Sequence, residues 1–375
     1  MEMNPLFLER LEKVRKTIAF ENDSVTTCYM GSATPPAHMD VTMAEYTRDP
    51  EKGLDTLLGY VNEINDVAPV DCLNFGYMLK PNVALATAWL SKITMPGREL
   101  PENSLWQVLE KKVMQDEDYD LVVEKGYDAL FEKVLPQVID MREFQEFIQY
   151  NRENGARDAE KYIDACYPVV TASMISPPFE QLCGARSMGQ FYMDCYKKPD
   201  KVKAALDVMQ PAIVNSAIGI AKAANGIGTW VGGWRGASAL VSPKVWDKLV
   251  WPYMYDAAMK LIENGIAPIF HLDQNWDRDI ERFLELPAKT CILNTDGMTD
   301  LRNAKKKLGE HMAFMGDVPS QLLATGKPEE VSEYVKRLLD DIGIKGVFLA
   351  PGCDAPANAK FENMVAMFKT AVEYK

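Results

Sequence analysis

The second half of the chain alternates between short apolar runs and longer amphipathic stretches, and this alternation predicts the fold. Helical spacing of apolar residues occurs in "VWDKLVWPYMYDAAMKLIENG", "DRDIERFLEL", "DLRNAKKKLG", "KPEEVSEYVKRLLDDIG" and "KFENMVAMFKTAVEYK". The runs "APIFHLD", "KTCILNTDG", "HMAFMGDVP" and "GVFLAPGCD" lie between these stretches and are typical of buried parallel strands. Gly265, Gly309 and Gly343 stand where three of the helices should end. The pattern indicates βα units and a parallel sheet.

The first half contains four more strand candidates, which bring the total to the number that a closed barrel needs. These are "SVTTCYMG", "VDCLNFGY", "VVTASMIS" and "GIGTWVGGW". We therefore predict an α/β protein with a (β/α)8 TIM barrel, extra N-terminal helices and a helical insertion around 96–160. The 375 residues show no low-complexity linker and no internal repeat, so 1–375 is expected to be a single domain.

Composition narrows the class of function. The net charge of −13 argues against nucleic acid, because phosphate binding needs a basic surface. No apolar run approaches the roughly 18 residues of a membrane span, and the acidic residues near the start do not fit a targeting peptide. The seven cysteines have no repeated spacing, which is typical of free thiols in a reducing cytoplasm.

Polar side chains follow each of the last four predicted strands. His271 and Asp273 follow the first, Asp296 the second, Asp317 the third and Cys353 the fourth. The C-terminal ends of barrel strands carry the active site, so these residues are expected at one end of the barrel. Nitrogen, thiolate and carboxylate are the ligand types of catalytic zinc. For any one of them the alternative is an ordinary polar residue at the exit of a strand.

At this point the chain resembles the uroporphyrinogen decarboxylase superfamily, which includes the zinc-dependent cobamide methyltransferases. The resemblance runs through most of the sequence. It is carried by "ERLEKVRKTIAFE", "PGRELPENSLWQVLE", "SPPFEQLCGARSMGQFYMDCYKKPDKV", "SPKVWDKLVWPYMYDAAMKLIENG", "FMGDVPSQLLATGKPEEV" and "PGCDAPANAKFENMVAMF". It implies the same (β/α)8 barrel.

The methyltransferase branch is favoured over the true decarboxylases. Decarboxylases have an Arg-rich N-terminal segment and a Phe-Ser-Asp segment with the catalytic aspartate. Here the first reads "VTTCYMGSATPPAHM", with no arginine, and the second reads Asn74-Phe75-Gly76. An octa-acid substrate would need several cations in its pocket.

The resemblance also implies the metal ligands. The methyltransferases bind zinc through a His-X-Cys pair and a Cys in a Pro-Gly-Cys motif, which His271 and Cys353 match. Asp273 stands where the first Cys of the family would be, and Asp296 and Glu180 are alternatives for the third ligand.

The expected chemistry is methyl transfer involving a corrinoid protein. A His/Asp/Cys set is harder than a set with two thiolates and suits oxygen better than sulfur. We therefore expect zinc-assisted demethylation of a small methoxylated, aromatic substrate onto cob(I)alamin carried by a partner corrinoid protein. The alternatives are methyl transfer from the corrinoid to a thiol such as coenzyme M, and a non-catalytic barrel that binds a corrinoid or tetrapyrrole. The sequence leaves dimerisation open.

Residues near the predicted strand ends provide candidates for the other roles. Asp296 and Asp317 could supply a proton to the leaving oxygen. Arg235 could pair with a substrate carboxylate, and His38 could touch the substrate. An apolar pocket for the aromatic ring could be lined by Tyr29, Met30, Phe75, Tyr77, Met78, Trp230, Trp234 and Trp276, although each of these fits core packing as well.

Overall fold

A computed structural model describes residues 4–374 and contains all eight predicted strands of the parallel sheet. A separate antiparallel ribbon of two short strands was not predicted. In chain order the strands are β1 (Thr26–Tyr29), β2 (Cys72–Leu73), β3 (Lys92–Thr94), β4 (Gln107–Leu109), β5 (Thr171–Ile175), β6 (Gly228–Gly233), β7 (Ala267–Leu272), β8 (Ile292–Thr295), β9 (Ala313–Val318) and β10 (Val347–Pro351), of which β3 and β4 form the ribbon.

The helices follow the amphipathic stretches of the sequence. They are α1 (Pro5–Ile18), α2 (Pro35–His38), α3 (Met43–Arg48), α4 (Pro50–Val67), α5 (Pro81–Trp89), α6 (Asp118–Lys125), α7 (Tyr127–Val134), α8 (Met141–Asp164), α9 (Pro178–Arg186), α10 (Met188–Lys197), α11 (Pro199–Ala223), α12 (Pro243–Leu249), α13 (Trp251–Glu263), α14 (Leu301–Leu308), α15 (Ser320–Thr325), α16 (Pro328–Ile342) and α17 (Phe361–Glu373). Single 3₁₀ segments occupy Leu135–Gln137 and Ile280–Glu285.

The chain folds as two compact units. The first contains the described residues of 1–78, 154–171 and 279–375, and the second contains 79–153 and 172–278. The parallel strand order is β2-β1-β10-β9-β8 in the first unit and β7-β6-β5 in the second. In the first unit the Leu73 N–H also donates to the carbonyl of Pro168, and the Thr171 N–H donates to that of Asn74, so β2 pairs with the start of β5. The strands and the helices around them give the predicted (β/α)8 TIM-barrel-like class.

The structure corrects or refines three of the helical predictions. The stretch 245–265 is two helices, α12 and α13, because Pro252 in the first turn of α13 cannot donate a backbone hydrogen bond to continue α12. The stretch "DRDIERFLEL" forms a 3₁₀ segment rather than an α-helix. The region 96–160 is mostly helical, as predicted, but it also contains β4. That 1–375 is a single domain stays a prediction.

Glycines end three helices at the predicted places. Gly309 and Gly343 are the C-caps of α14 and α16, and Gly265 follows the C-cap of α13. All three have positive φ, of 60°, 75° and 71° respectively. This conformation is nearly free for glycine and costly for other residues.

The sequence pattern did not single out α11 as a possible membrane span. By length and composition alone, however, α11 is the one described helix that could cross a membrane. Its most apolar window is 44% buried inside the protein, and its buried positions include Val202, Leu206 and Met209. Such burial is typical of a helix that packs on a protein core.

Candidate metal and substrate site

His271 and Asp273 form a close pair at the end of β7. Two residues apart on extended chain, they project to the same side. His271 is 4% exposed, and its Nε2 lies 2.9 Å from Oδ1 of Asp273. The Asp273 Oδ1 is nevertheless buried without a hydrogen bond, so the contact meets the distance but not the angles of one. Two ligands of one tetrahedral zinc lie about 3.3 Å apart when each bond is about 2.05 Å. An orphaned carboxylate oxygen facing an imidazole nitrogen therefore fits a shared cation.

The backbone of Asp273 is fixed from both sides. Its N–H donates to the carbonyl of Gly233 at 2.9 Å, which extends the pairing of β6 with β7. Its carbonyl accepts the indole N–H of the fully buried Trp276 at 2.7 Å. The carboxylate is thus presented from a rigid support, as a metal ligand requires.

An indole ring packs on the His271 imidazole, and two more indoles lie against the neighbouring strand β6. Trp230 stacks on it, with ring centroids 4.4 Å apart and planes 28° from parallel. Gly232 lies opposite His271 in the sheet register, and a Cβ there would come within 2.1 Å of the Trp234 ring. A Cβ on Gly233 would come within 2.7 Å of Trp276. The two glycines of β6 thus leave space that indole rings fill, with Trp234 on the face that His271 shares and Trp276 on the opposite face.

Glu180 braces the segment that follows β6. Its carboxylate accepts the backbone N–H groups of Trp234 at 3.0 Å, Arg235 at 2.8 Å and Gly236 at 2.8 Å. Burial raises the pKa of Glu180, while Arg235 and the three N–H groups act in the opposite direction. These backbone N–H groups satisfy the buried carboxylate and offset the cost of its burial. That Glu180 is an alternative third ligand stays a prediction. The sequence suggested it only as an alternative ligand and gave no signal of this brace.

Arg235 lies beside a second indole. Trp89 and Trp234 meet edge to face with centroids 5.4 Å apart, and the Arg235 guanidinium is 6.0 Å from the centre of the Trp89 ring. The guanidinium donates a weak hydrogen bond to the carbonyl of Glu180 at 3.5 Å. The arginine therefore retains donors for an anionic group. Trp89 is not among the residues that the sequence pattern singled out.

The ends of β8, β9 and β10 meet in the first unit. The N–H of Gly352 donates to the carbonyl of Val318 at 2.9 Å. A Cβ on Gly352 would lie 3.4 Å from the carbonyl of Asp296 and 3.6 Å from the carbonyl carbon of Asp317. The backbone of the two candidate acids is thus packed against the residue before Cys353. Cys353 is half-buried, whereas the other six cysteines are buried, and none of the seven forms a disulfide among the described residues.

Asp317 has the environment of a proton donor. It is 4% exposed, and the Tyr334 hydroxyl donates to its Oδ1 at 2.8 Å. Burial raises the pKa of Asp317 to about 6, and the tyrosine hydrogen bond and Arg302 oppose this shift. Asp296 is less buried, and its Oδ1 accepts the N–H of Met298 at 2.8 Å.

The N-terminal candidates have partners of their own in the first unit. Tyr29 is buried and donates to the carbonyl of Gly31 at 2.8 Å, and Tyr77 donates to the carbonyl of Tyr46 at 2.5 Å. Nε2 of His38 lies 2.7 Å from a carboxylate oxygen of Glu63, and its ring stacks on Phe361 with centroids 4.2 Å apart. Phe75 is half-buried just after β2. Substrate contact by these four residues stays a prediction.

Comparison with known proteins agrees with this architecture. The profile of the family described as uroporphyrinogen decarboxylase (URO-D) matches residues 169–374. A methylcobamide:CoM methyltransferase, MtbA, from Methanosarcina acetivorans is 25% identical over 139 residues, which are 36% of this chain and 39% of that protein. The aligned region thus spans well under half of this curated relative. A methyltransferase from Methanosarcina mazei superposes with a TM-score of 0.67 at 18% identity, over 96% of this chain and 98% of that one. At this identity the second likeness establishes the fold alone.

Proposed function

Because the chain belongs to the uroporphyrinogen decarboxylase family, we propose that it is a cobamide-dependent methyltransferase of that family. More narrowly, it removes the methyl group of a small methoxylated aromatic compound and passes it to cob(I)alamin on a separate corrinoid protein. The observation that carries the proposal is the His271–Asp273 pair, with its orphaned carboxylate oxygen, against the Trp230 ring.

In this proposal His271, Asp273 and Cys353 would hold one zinc ion, because each of these residue types supplies one ligand atom to zinc. Three protein ligands leave one position for substrate, as in other catalytic zinc sites. Zinc bound there would act as a Lewis acid that draws electron density from the ether oxygen. A set with a single thiolate keeps the site hard, which favours an oxygen ligand over sulfur.

The chain's own residues would orient the ring and supply the proton. Trp230 and Trp234 offer flat apolar surface beside His271, and aromatic rings pack on such surfaces in offset or edge-to-face arrangements. Arg235 has donors for a ring carboxylate. Asp317, with its pKa near 6, is protonated in a useful fraction of molecules near neutral pH and can donate to the departing oxygen.

A second candidate function is methyl transfer from the corrinoid protein to a thiol. The observation that favours it is the partial likeness to a methylcobamide:CoM methyltransferase. Asp273 argues against this second candidate. It stands where the resemblance places a cysteine, and a carboxylate makes the site less suited than a thiolate does to a soft sulfur ligand.

One experiment tests the metal and the reaction together. The purified protein should contain one zinc per chain and, with cob(I)alamin and a methoxylated benzoate, should yield the free phenol and methylcobalamin. Cys353→Ala should lose the metal but stay folded, and Cys291→Ala, at a buried cysteine before β8, is the matched control that should keep it. Full zinc retention in Cys353→Ala would contradict the ligand set. Thiol methylation from methylcobalamin, with no ether demethylated, would favour the second candidate.

A further inference from the structure

The loop that carries Cys353 is tied to the loop after β1 by a dense set of hydrogen bonds. The carboxylate of Asp354 accepts the backbone N–H of Ser32 with both oxygens, at 2.9 and 3.1 Å, and it also accepts the Ser32 hydroxyl. One residue further on, the N–H of Ala355 donates to the carbonyl of Met30 at 3.0 Å. We call the contact between Ser32 and Asp354 the clip.

The clip leaves Cys353 as the one residue between two fixed points. On its N-terminal side, Gly352 is hydrogen-bonded to Val318 as β10 ends. On its C-terminal side, Asp354 is held by Ser32, which is 8% exposed, so water competes weakly for these bonds. Both fixed points lie in the first unit. A thiol carried between them loses little conformational freedom when it binds a metal.

We propose that Ser32 and Asp354 are positioning residues that hold the Cys353 thiol for the metal. This inference rests on the proposed zinc site. Residues that support metal ligands typically contribute about 10–100-fold to metal affinity. Asp354→Asn removes the charge and one of the two accepting oxygens, so it should weaken zinc affinity by about that factor. Ser32→Ala removes the hydroxyl bond and keeps the backbone N–H bonds, so its effect should be smaller but measurable. In the double variant the two effects should be less than additive, because both changes act on one contact.

The test is a competition titration of zinc against a chromophoric chelator, with cobalt(II) spectra of each variant. Both single variants should weaken the cobalt–thiolate charge-transfer band. Two matched controls change the same residue types at helix N-caps outside the clip. They are Ser242→Ala at α12, and Asp49→Asn at α4, where the carboxylate also accepts two backbone N–H groups. Both controls should keep wild-type affinity and spectra. An effect of Asp354→Asn without one of Ser32→Ala would show that charge acts rather than positioning, and would overturn the proposal.

A metal-free readout separates this inference from the proposed function. Cys353 is the half-buried thiol among the described residues, so a thiol reagent applied to the native, chelator-treated protein should react with it first. Asp354→Asn should speed this reaction several-fold and Ser32→Ala should speed it less. The controls Ser242→Ala and Asp49→Asn should leave its rate unchanged. If the wild type binds no zinc, the proposed function fails while this reaction still reports on the clip. Unchanged reactivity together with unchanged zinc affinity in both variants would overturn the clip.

Discussion

At the scale of single residues, the proposed third ligand and the proposed direction of methyl transfer both depend on Asp273. We expect Asp273→Ala to lower the demethylation rate by at least about tenfold, which is about 1.4 kcal/mol of transition-state stabilisation. Its Oδ1 faces His271 without a hydrogen bond, so removing it costs no internal hydrogen bond of that oxygen. Metal content and the rate should fall together.

Asp296→Ala is the comparison for that prediction. Asp296 accepts an N–H from Met298 at its own turn, so we expect Asp296→Ala to keep its zinc and to lower the rate less than Asp273→Ala does. If Asp296→Ala loses the zinc while Asp273→Ala keeps it, Asp296 is the third ligand and the assignment to Asp273 is wrong.

Asp317 should make the stability of the protein depend on pH. Its folded pKa of about 6 lies above the ordinary value of an aspartate, so the folded state binds this proton more tightly than the unfolded state does. The free energy of unfolding should therefore fall as the pH rises from about 4 to 6, and level off above, by an amount of up to about 3 kcal/mol. Asp317→Asn should remove this slope in denaturant titrations across that range.

Tyr334→Phe tests the cause of that pKa. The tyrosine hydroxyl donates to the carboxylate and lowers its pKa against the effect of burial. Its removal should move the inflection to higher pH in both the stability curve and the rate profile. An inflection that stays in place or moves down would show that the hydrogen bond does not set this pKa.

At the scale of elements, the packing of α5 against α9 positions Trp89, which contacts Trp234. A Cβ on Gly184 in α9 would lie 1.8 Å from the backbone carbonyl oxygen of Trp89 at the end of α5. Gly184→Ala must therefore push the helices apart, at a cost of about 1–3 kcal/mol. Because α9 also carries the Glu180 brace and Trp89 contacts Trp234, the substrate KM should rise as well.

Gly219→Ala in α11 is the matched control. A Cβ there meets nothing within 4 Å. Alanine is the better helix former, so this variant should be stabilised by about 0.5–1 kcal/mol with unchanged KM. Urea denaturation and steady-state kinetics measure both effects. A neutral Gly184→Ala variant would show that the two helices tolerate separation.

At the scale of the whole molecule, we expect no conversion of uroporphyrinogen to coproporphyrinogen. A chain of net charge −13 repels an octa-acid unless cations are concentrated in its pocket, and the segment 25–39 contains no arginine. The structure adds a steric reason at Gly76, where the catalytic aspartate of the decarboxylases would fall. Even a Cβ there would come within 2.8 Å of the Tyr162 hydroxyl, so an aspartate side chain does not fit without a shift of the tyrosine. Product analysis by chromatography is the measurement, and any coproporphyrinogen formed above a heat-treated control would contradict the expectation.

The sequence by itself determined the elements of this protein, because buried strands and amphipathic helices are written in the local spacing of apolar residues. All eight strands of the parallel sheet, the helix ends at Gly309 and Gly343, and the pairing of His271 with Asp273 two residues apart followed from that spacing. Contacts between distant segments depend instead on packing, and no local pattern encodes them. Only the tertiary structure decided that Glu180 braces three backbone N–H groups some 54 to 56 residues away and that Asp354 holds Ser32 across 322 residues. The hydrogen bond from Tyr334 to Asp317 is of the same kind: burial decides the energy of that carboxylate, and burial is a property of the folded chain.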